Sequence, residues 1–223
     1  RLAAVHNSYN IRINFSSVSL YHKNDPLFDN GEKGETAYIS VIDLRKEEAE
    51  LVVQMRKGLR YEIKKAEKCG VIYREASIAD LETYYEMHKA VCKKSSLVPH
   101  AREYFEGVFG DVLTKGNSYI GCAIHDGKIV AMANYGVYKD VAVYWTGASF
   151  DEAYKTGANH WLHWTMMKKM KEKGVKFLDM GEIFAKHKLT KIQGISDFKT
   201  SFGGENRPCF KANISKRAAI FDI

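Results

Sequence analysis

No run of about eighteen consecutive apolar residues occurs in the chain, so a membrane-spanning helix is not expected. The N-terminus also lacks a charged segment followed by an apolar run and small residues; no secretory signal is read, and a cytoplasmic protein is expected. Cysteine is sparse. Cys69, Cys92, Cys122 and Cys209 are far apart and form no C-x-x-C pair, so the common zinc and redox signatures are missing and these residues read as small buried apolar groups. His88, His160 and His163 fall on predicted helices with no carboxylate at ligand spacing, so they read as satisfied or exposed histidines and no metal is expected. There is no G-x-S-x-G elbow and no legible Cys–His pairing, so nothing calls for a covalent nucleophile. The chain begins at Arg1 rather than a methionine, and further sequence before it is expected.

What is present is an ordinary globular composition, 45% hydrophobic and 27% charged over 223 residues, enough for one complete domain and an additional piece. A net charge of +7 favours anionic partners: a nucleotide, a phosphorylated precursor, RNA, or the surface of the inner membrane in peripheral contact. A lysine-rich solvated surface accounts for the same excess.

Alternation of Ile11, Ile13, Phe15 and Val18 predicts a strand over residues 10–21, followed by a turn at Asn24-Asp25-Pro26 and an exposed loop over Asn30–Gly34. A second strand is read over Ala37–Ile42. Asp43 then reads as the N-cap of one long helix to Cys69, closed by Gly70, with Leu51, Met55, Leu59, Ile63 and Ala66 as its buried stripe. A second stripe on that helix, Arg56, Arg60, Lys64 and Lys68, is wholly basic and suits phosphate or nucleic-acid contact. After a short strand over Val71–Glu75, Ser77 and Asp80 form a capping pair for a helix carrying Leu81, Tyr84, His88 and Val91, and a second helix follows Pro99. Three strands come next, the first two joined by the hairpin signal Asp126-Gly127. Then come a helix over Gly157–Lys173, a strand over Val175–Asp179, a short helix over Ile195–Phe202 and a strand over Cys209–Ile214.

This order is neither a doubly wound alternation nor a bundle. It matches the α+β fold of the acyl-CoA N-acyltransferases (GNAT-like), a mixed, mostly antiparallel sheet flanked by helices. Three stretches then resemble the Fem family of peptidoglycan-bridge aminoacyltransferases: Arg60–Gly70; Tyr144-Trp145-Thr146-Gly147-Ala148-Ser149, with Phe177-Leu178-Asp179-Met180-Gly181 behind it; and Gly194–Gly204, containing Phe198-Lys199. The resemblance runs from about Thr36 to Phe210. Family members carry two such domains in tandem. The expected division is therefore residues 1–36 as the tail of a preceding domain, 37–70 as a strand and basic connecting helix, 71–214 as the acyltransferase domain and 215–223 as a tail.

The resemblance implies transfer of an aminoacyl group from charged tRNA to an amine of a stem peptide on a nucleotide-linked or lipid-linked peptidoglycan precursor, with no further cofactor. Such a reaction needs an amine near the carbonyl, a donor to the oxyanion and an exit for the proton. By family position Lys199 is expected at the phosphate or the reacting centre; the plainer reading makes it the solvated face of a helix that buries Phe198 and Phe202. Tyr144 is expected as a hydroxyl donor or relay, or as a core tyrosine, and Asp179, at the end of its strand, as a base or a turn acceptor. Lys94 is expected to bind the acceptor.

Two rivals stay open. A coenzyme A-dependent acyltransferase would hold pyrophosphate on a Gly-rich loop at a helix N-terminus; here that loop is Tyr154–Asn159, where Gly157 fits the pattern but Tyr154 and Asn159 do not. An inert homologue would instead bind RNA through basic residues beside aromatics such as Tyr61 and Tyr73.

Overall fold

The structure is a computed structural model describing residues 10–16, 35–95, 97–112, 116–184 and 190–215. The Asn24–Pro26 turn, the Asn30–Gly34 loop and nearly all of the tail after Ile214 lie outside the described residues. In chain order the elements are β1 (Asn10–Ser16), β2 (Glu35–Asp43), α1 (Glu48–Gln54), α2 (Lys57–Lys68), β3 (Ile72–Glu75), α3 (Leu81–Ser95), α4 (Arg102–Gly107), β4 (Ser118–His125), β5 (Lys128–Tyr138), β6 (Val141–Ser149), α5 (Asp151–Thr156), α6 (Ala158–Glu172), β7 (Phe177–Ile183), α7 (Thr190–Thr200) and β8 (Glu205–Ser215). They form one eight-stranded sheet in the order β1-β8-β2-β7-β6-β5-β4-β3. Every neighbouring pair is antiparallel except β6 and β7.

Helices cover both faces, because the central strands send apolar residues to each. On one face Leu51, Met55, Leu59, Ile63 and Ala66 of the α1–α2 segment pack with Leu162, Met166 and Met170 of α6. On the other, Leu81, Tyr84 and Met87 of α3 and Phe105 of α4 pack on Ile120, Cys122 and Met132. Truncating a fully enclosed residue such as Leu162 to alanine is expected to cost about 2–5 kcal/mol.

The apolar stripe after β2 is buried as its spacing predicts, but the helix that carries it is broken. Met55 (ψ 143°) and Arg56 (ψ 140°) are extended and separate α1 from α2. Tertiary contacts decide this: the Arg56 amide donates to the Ser201 carbonyl at 2.9 Å instead of continuing the helix. Gly203 also stands so close that a Cβ on it would lie 2.6 Å from the Gln54 carbonyl oxygen. Nor is Asp43 an N-cap. It ends β2, and its carboxylate accepts the Arg45 amide at 3.0 Å and Nε at 2.8 Å, while Glu47 caps α1 in a reciprocal capping box with Glu50. Asp179 likewise lies inside β7, which runs on to Ile183, rather than at a strand end.

The most consequential irregularity is in β6. Tyr135 pairs with Tyr144 but Asn134 pairs with Thr146, leaving Trp145 as an extra residue, a β-bulge. The bulge reverses the alternation of side chains. Tyr144 turns toward α6 beside Tyr135, with ring centroids 5.5 Å apart, while Thr146 turns toward α3, its hydroxyl 2.8 Å from that of Tyr84. Immediately before the bulge the parallel ladder between β6 and β7 stops: it holds only Val141↔Phe177, Ala142↔Leu178 and Val143↔Asp179, although both strands continue.

Candidate active site

Where that ladder ends, several of the predicted site residues come together. Gly181, the second residue beyond the last position of β7 that pairs with β6, has φ +80°, and its amide donates to the Asp179 carboxylate at 2.6 Å. That bond fixes a left-handed kink which a side chain resists. A Cβ placed on Gly181 would stand 3.1 Å from Lys199 Nζ and 3.9 Å from the Tyr144 carbonyl oxygen, so the lysine head lies at the fork between β6 and β7. Lys199 Nζ donates to the Glu182 carbonyl at 2.9 Å. An ammonium has three donors, so an anion at the fork can take another. Burial pulls the Lys199 pKa below its ordinary value, opposed by the negative charges of Asp179 and Glu182.

The lysine is held in place by rings. Phe202 is buried, Phe198 packs beside it at 5.3 Å, and both lean on the imidazole of His163, at 5.8 and 5.0 Å. His163 is wholly enclosed, and its Nδ1 is hydrogen-bonded to the Tyr135 hydroxyl. Its Nε2 is buried with no hydrogen-bond partner among the described residues. Burial, with His160 close by, depresses its pKa to about 3, so it is neutral at physiological pH and serves as a packing hub rather than an acid or base. The Tyr144 ring stands perpendicular to it at 4.7 Å. Burial, helped by the Tyr154 phenol, pushes the Tyr144 pKa up, so this hydroxyl remains a proton donor.

The remaining predicted residues lie elsewhere. Arg56 braces α7, its guanidinium donating to the Asp197 backbone carbonyl. Arg60, Lys64 and Lys68 run along the outer side of α2, and Arg56, its N-cap, stands one turn ahead of Arg60, whose amide donates to the Arg56 carbonyl at 3.2 Å. Lys94 closes α3 and is ion-paired with Asp151 at the start of α5. Tyr73 packs against the core, whereas Tyr61 is exposed. Gly157, with φ +76°, joins α5 to α6 and lies directly under α2. A Cβ there would stand 3.0 Å from the Glu62 carboxylate and 3.1 Å from the Glu62 carbonyl carbon.

In sequence, Gly181 and Trp145 fall within the quoted motifs and His163 reads as a satisfied or exposed histidine, but none of the three is given a part in the site. Only Gly181 leaves a local trace, a glycine between Met180 and Glu182 in an otherwise side-chain-bearing strand. The bulge exists only in register with β5, and the burial of His163 only through the packing of β5, β6 and α7 around it.

The model of the acetyltransferase (GNAT) domain family matches residues 54–199, which include the fork, α6 and Lys199. The chain belongs to this family. It is an acyltransferase, and the fork between β6 and β7 is its candidate reaction centre. No curated protein matches the sequence. In fold the acyltransferase is similar to the crystal structure of FemX, with TM-score 0.76 and 16% identity over 99% of this chain and 76% of that one. It is also similar to the C-terminal domain of a lysylphosphatidylglycerol synthetase from Agrobacterium fabrum, with TM-score 0.64 and 18% identity over 98% and 72%. The L-PGS structure from Bacillus licheniformis gives 0.61 and 18% over 95% and 69%. Among the described residues, no helix is long and apolar enough to cross a membrane.

Proposed function

We propose that this acyltransferase moves an aminoacyl group from charged tRNA to an amine of a stem peptide on a nucleotide- or lipid-linked peptidoglycan precursor. The observation that carries the reading is the covered N-terminus of α6. A coenzyme A donor would need the backbone amides there for its pyrophosphate. Here α2 lies across the loop, with the Glu62 carbonyl and carboxylate against Gly157. An acidic group and a packed backbone at that place oppose a polyphosphate both electrostatically and sterically. The Fem-like motifs at Tyr144–Ser149 and Gly194–Gly204 supply the positive side of the reading, and both border the fork.

In this mechanism the neutral acceptor amine attacks the ester carbonyl carbon, the bond from that carbon to the ribose oxygen breaks, and the ribose oxygen leaves with a proton. Lys199 faces the carbonyl oxygen as negative charge develops on it, or a neighbouring phosphate. Tyr144 donates a hydrogen bond at the β6 side, and Asp179 acts through Gly181 by holding the kink that gives Lys199 its place. The division of the chain set out above, with residues 71–214 as the transferring domain, goes with this reading.

The test is transfer of a radiolabelled amino acid from charged tRNA to nucleotide-linked and lipid-linked stem peptides, run beside acetyl-coenzyme A with the same acceptors. Product from the tRNA donor alone is expected. Turnover with acetyl-coenzyme A, or its stoichiometric binding with a Kd on the order of micromolar or below, would reverse the assignment of the donor.

A further inference from the structure

On the far side of α7 from Lys199 lies a cavity of about 320 Å³, at the small end of ligand pockets, which span about 300–1,000 Å³. Gln193, Ser196, Asp197 and Thr200 line it at the i, i+3, i+4, i+7 spacing of a single helix face, opposite the face that carries Phe198 and Lys199. Across from them stand two aromatic rings, Tyr38 of β2 and Phe184 just beyond β7, both partly open to solvent (51% and 37%). Asn206, at the start of β8, adds an amide. The volume suits a nucleobase or nucleoside rather than a whole nucleotide-linked precursor. Flat apolar walls with a few amide and carboxylate groups match a base, which presents a π-face and a polar edge.

The polar groups also discriminate among bases. Gln193 Nε2 donates to Asp197 Oδ1 at 3.0 Å, so an amide and a carboxylate lie side by side at this wall. A carboxylate accepts from an exocyclic amino group, and an amide pairs with an edge carrying one donor and one acceptor, as adenine does. Uracil has no exocyclic amino group: it offers the carboxylate only a ring N–H set between two carbonyl oxygens, which the carboxylate repels. Ile183 lines the cavity and follows Glu182, whose carbonyl holds Lys199 Nζ, so the end of β7 adjoins both the cavity and the fork.

We propose that this cavity between β2, the end of β7 and α7 binds an amino-bearing nucleobase, adenine or cytosine, of the RNA donor, and so seats the terminal ribose ester beside the fork. The inference rests on the proposed tRNA donor. It is tested with uncharged nucleosides, which have no phosphate to seek Lys199.

Adenosine, cytidine and uridine are titrated into the full chain, with binding followed by NMR chemical-shift changes. Adenosine or cytidine should bind about tenfold more tightly than uridine. Tyr38→Ala should weaken the preferred nucleoside about tenfold without lowering the thermal midpoint. Asp197→Ala should erase the preference over uridine, and Lys199→Met should leave nucleoside affinity unchanged. Equal or tighter uridine binding would overturn the proposal, as would affinities indifferent to Tyr38→Ala or abolished by Lys199→Met. Transfer from charged tRNA that persists without nucleoside binding, with an unchanged KM in Tyr38→Ala, would refute the cavity but leave the functional reading intact. Nucleoside binding with the expected preferences but no transfer would refute that reading and keep the cavity.

Discussion

Replacing Lys199 by methionine separates the charge of this residue from its packing. The ammonium is held by the Glu182 carbonyl at 2.9 Å and by the rings that order α7, so it is organised before substrate arrives. Removing a preorganised donor to a developing oxyanion typically costs about 2.7–4 kcal/mol in the transition state, roughly a hundred- to thousandfold in rate. Two effects on folding oppose each other. The hydrogen bond to Glu182 is lost, but so is the burial of an ammonium whose pKa is already pulled down by desolvation. Methionine keeps the aliphatic stem, so the net change is expected to be within about 1 kcal/mol, or roughly 2–4 °C in midpoint for a chain of this size. The assay is single-turnover transfer from charged tRNA, paired with thermal unfolding. A depressed lysine pKa means that the native state sheds its proton before the unfolded chain does. Stability from this residue therefore rises with pH in the window below the ordinary lysine value, and activity that needs the ammonium fails on the alkaline side at a lower pH than an exposed lysine would allow. Transfer within a few fold of the parent would refute the reasoning. A collapse of the midpoint with the loss of activity would mean that the lysine serves the fold.

Gly181→Ala should lower the transfer rate at least about tenfold, because it strains a residue at φ +80° and sets a methyl 3.1 Å from Lys199 Nζ; kinetics beside a melting curve check this. Gly157→Ala should cost about 2–3 kcal/mol, read as a fall of several degrees in midpoint, since its Cβ meets the Glu62 backbone at φ +76°. His163 is neutral in the native state down to about pH 3 but takes up a proton near 6.5 once unfolded, so it withdraws stability as pH falls through that window, by on the order of 4–5 kcal/mol in full. Urea midpoints at pH 7 and pH 4.5 should therefore differ less in His163→Phe than in the parent, and an equal acid loss in both would place the sensitivity elsewhere.

Much of the fold is legible locally. Asp126 and Gly127 both adopt positive φ, 48° and 74°, the primed hairpin turn that an Asp-Gly pair announces. Ser77 and Asp80 do form a capping box, although on a single 3₁₀ turn before α3, and Gly70 does close α2 in the left-handed region. The Leu51–Ala66 stripe is buried because apolar spacing reports which side of a segment faces the core, whether or not the helix is continuous. Continuity itself was not legible, since Met55 and Arg56 give up the helix for a carbonyl 145 residues away from Arg56, at Ser201.

The amino-acid sequence by itself determined the broad order of strands and helices, short of the α1–α2 break and of α5, together with the α+β class and the aromatic–lysine pairing at Phe198-Lys199, because each depends on periodicity, turn chemistry or neighbours along the chain. Tertiary structure alone decided that β6 bulges at Trp145, that Tyr144 and Thr146 consequently face opposite sides of the sheet, and that Lys199 reaches Gly181 where the β6–β7 ladder ends. It also decided that Glu62 covers Gly157. These are matters of register and of contact between distant segments, set by how one strand or helix packs on another, and no local pattern of residue types encodes them.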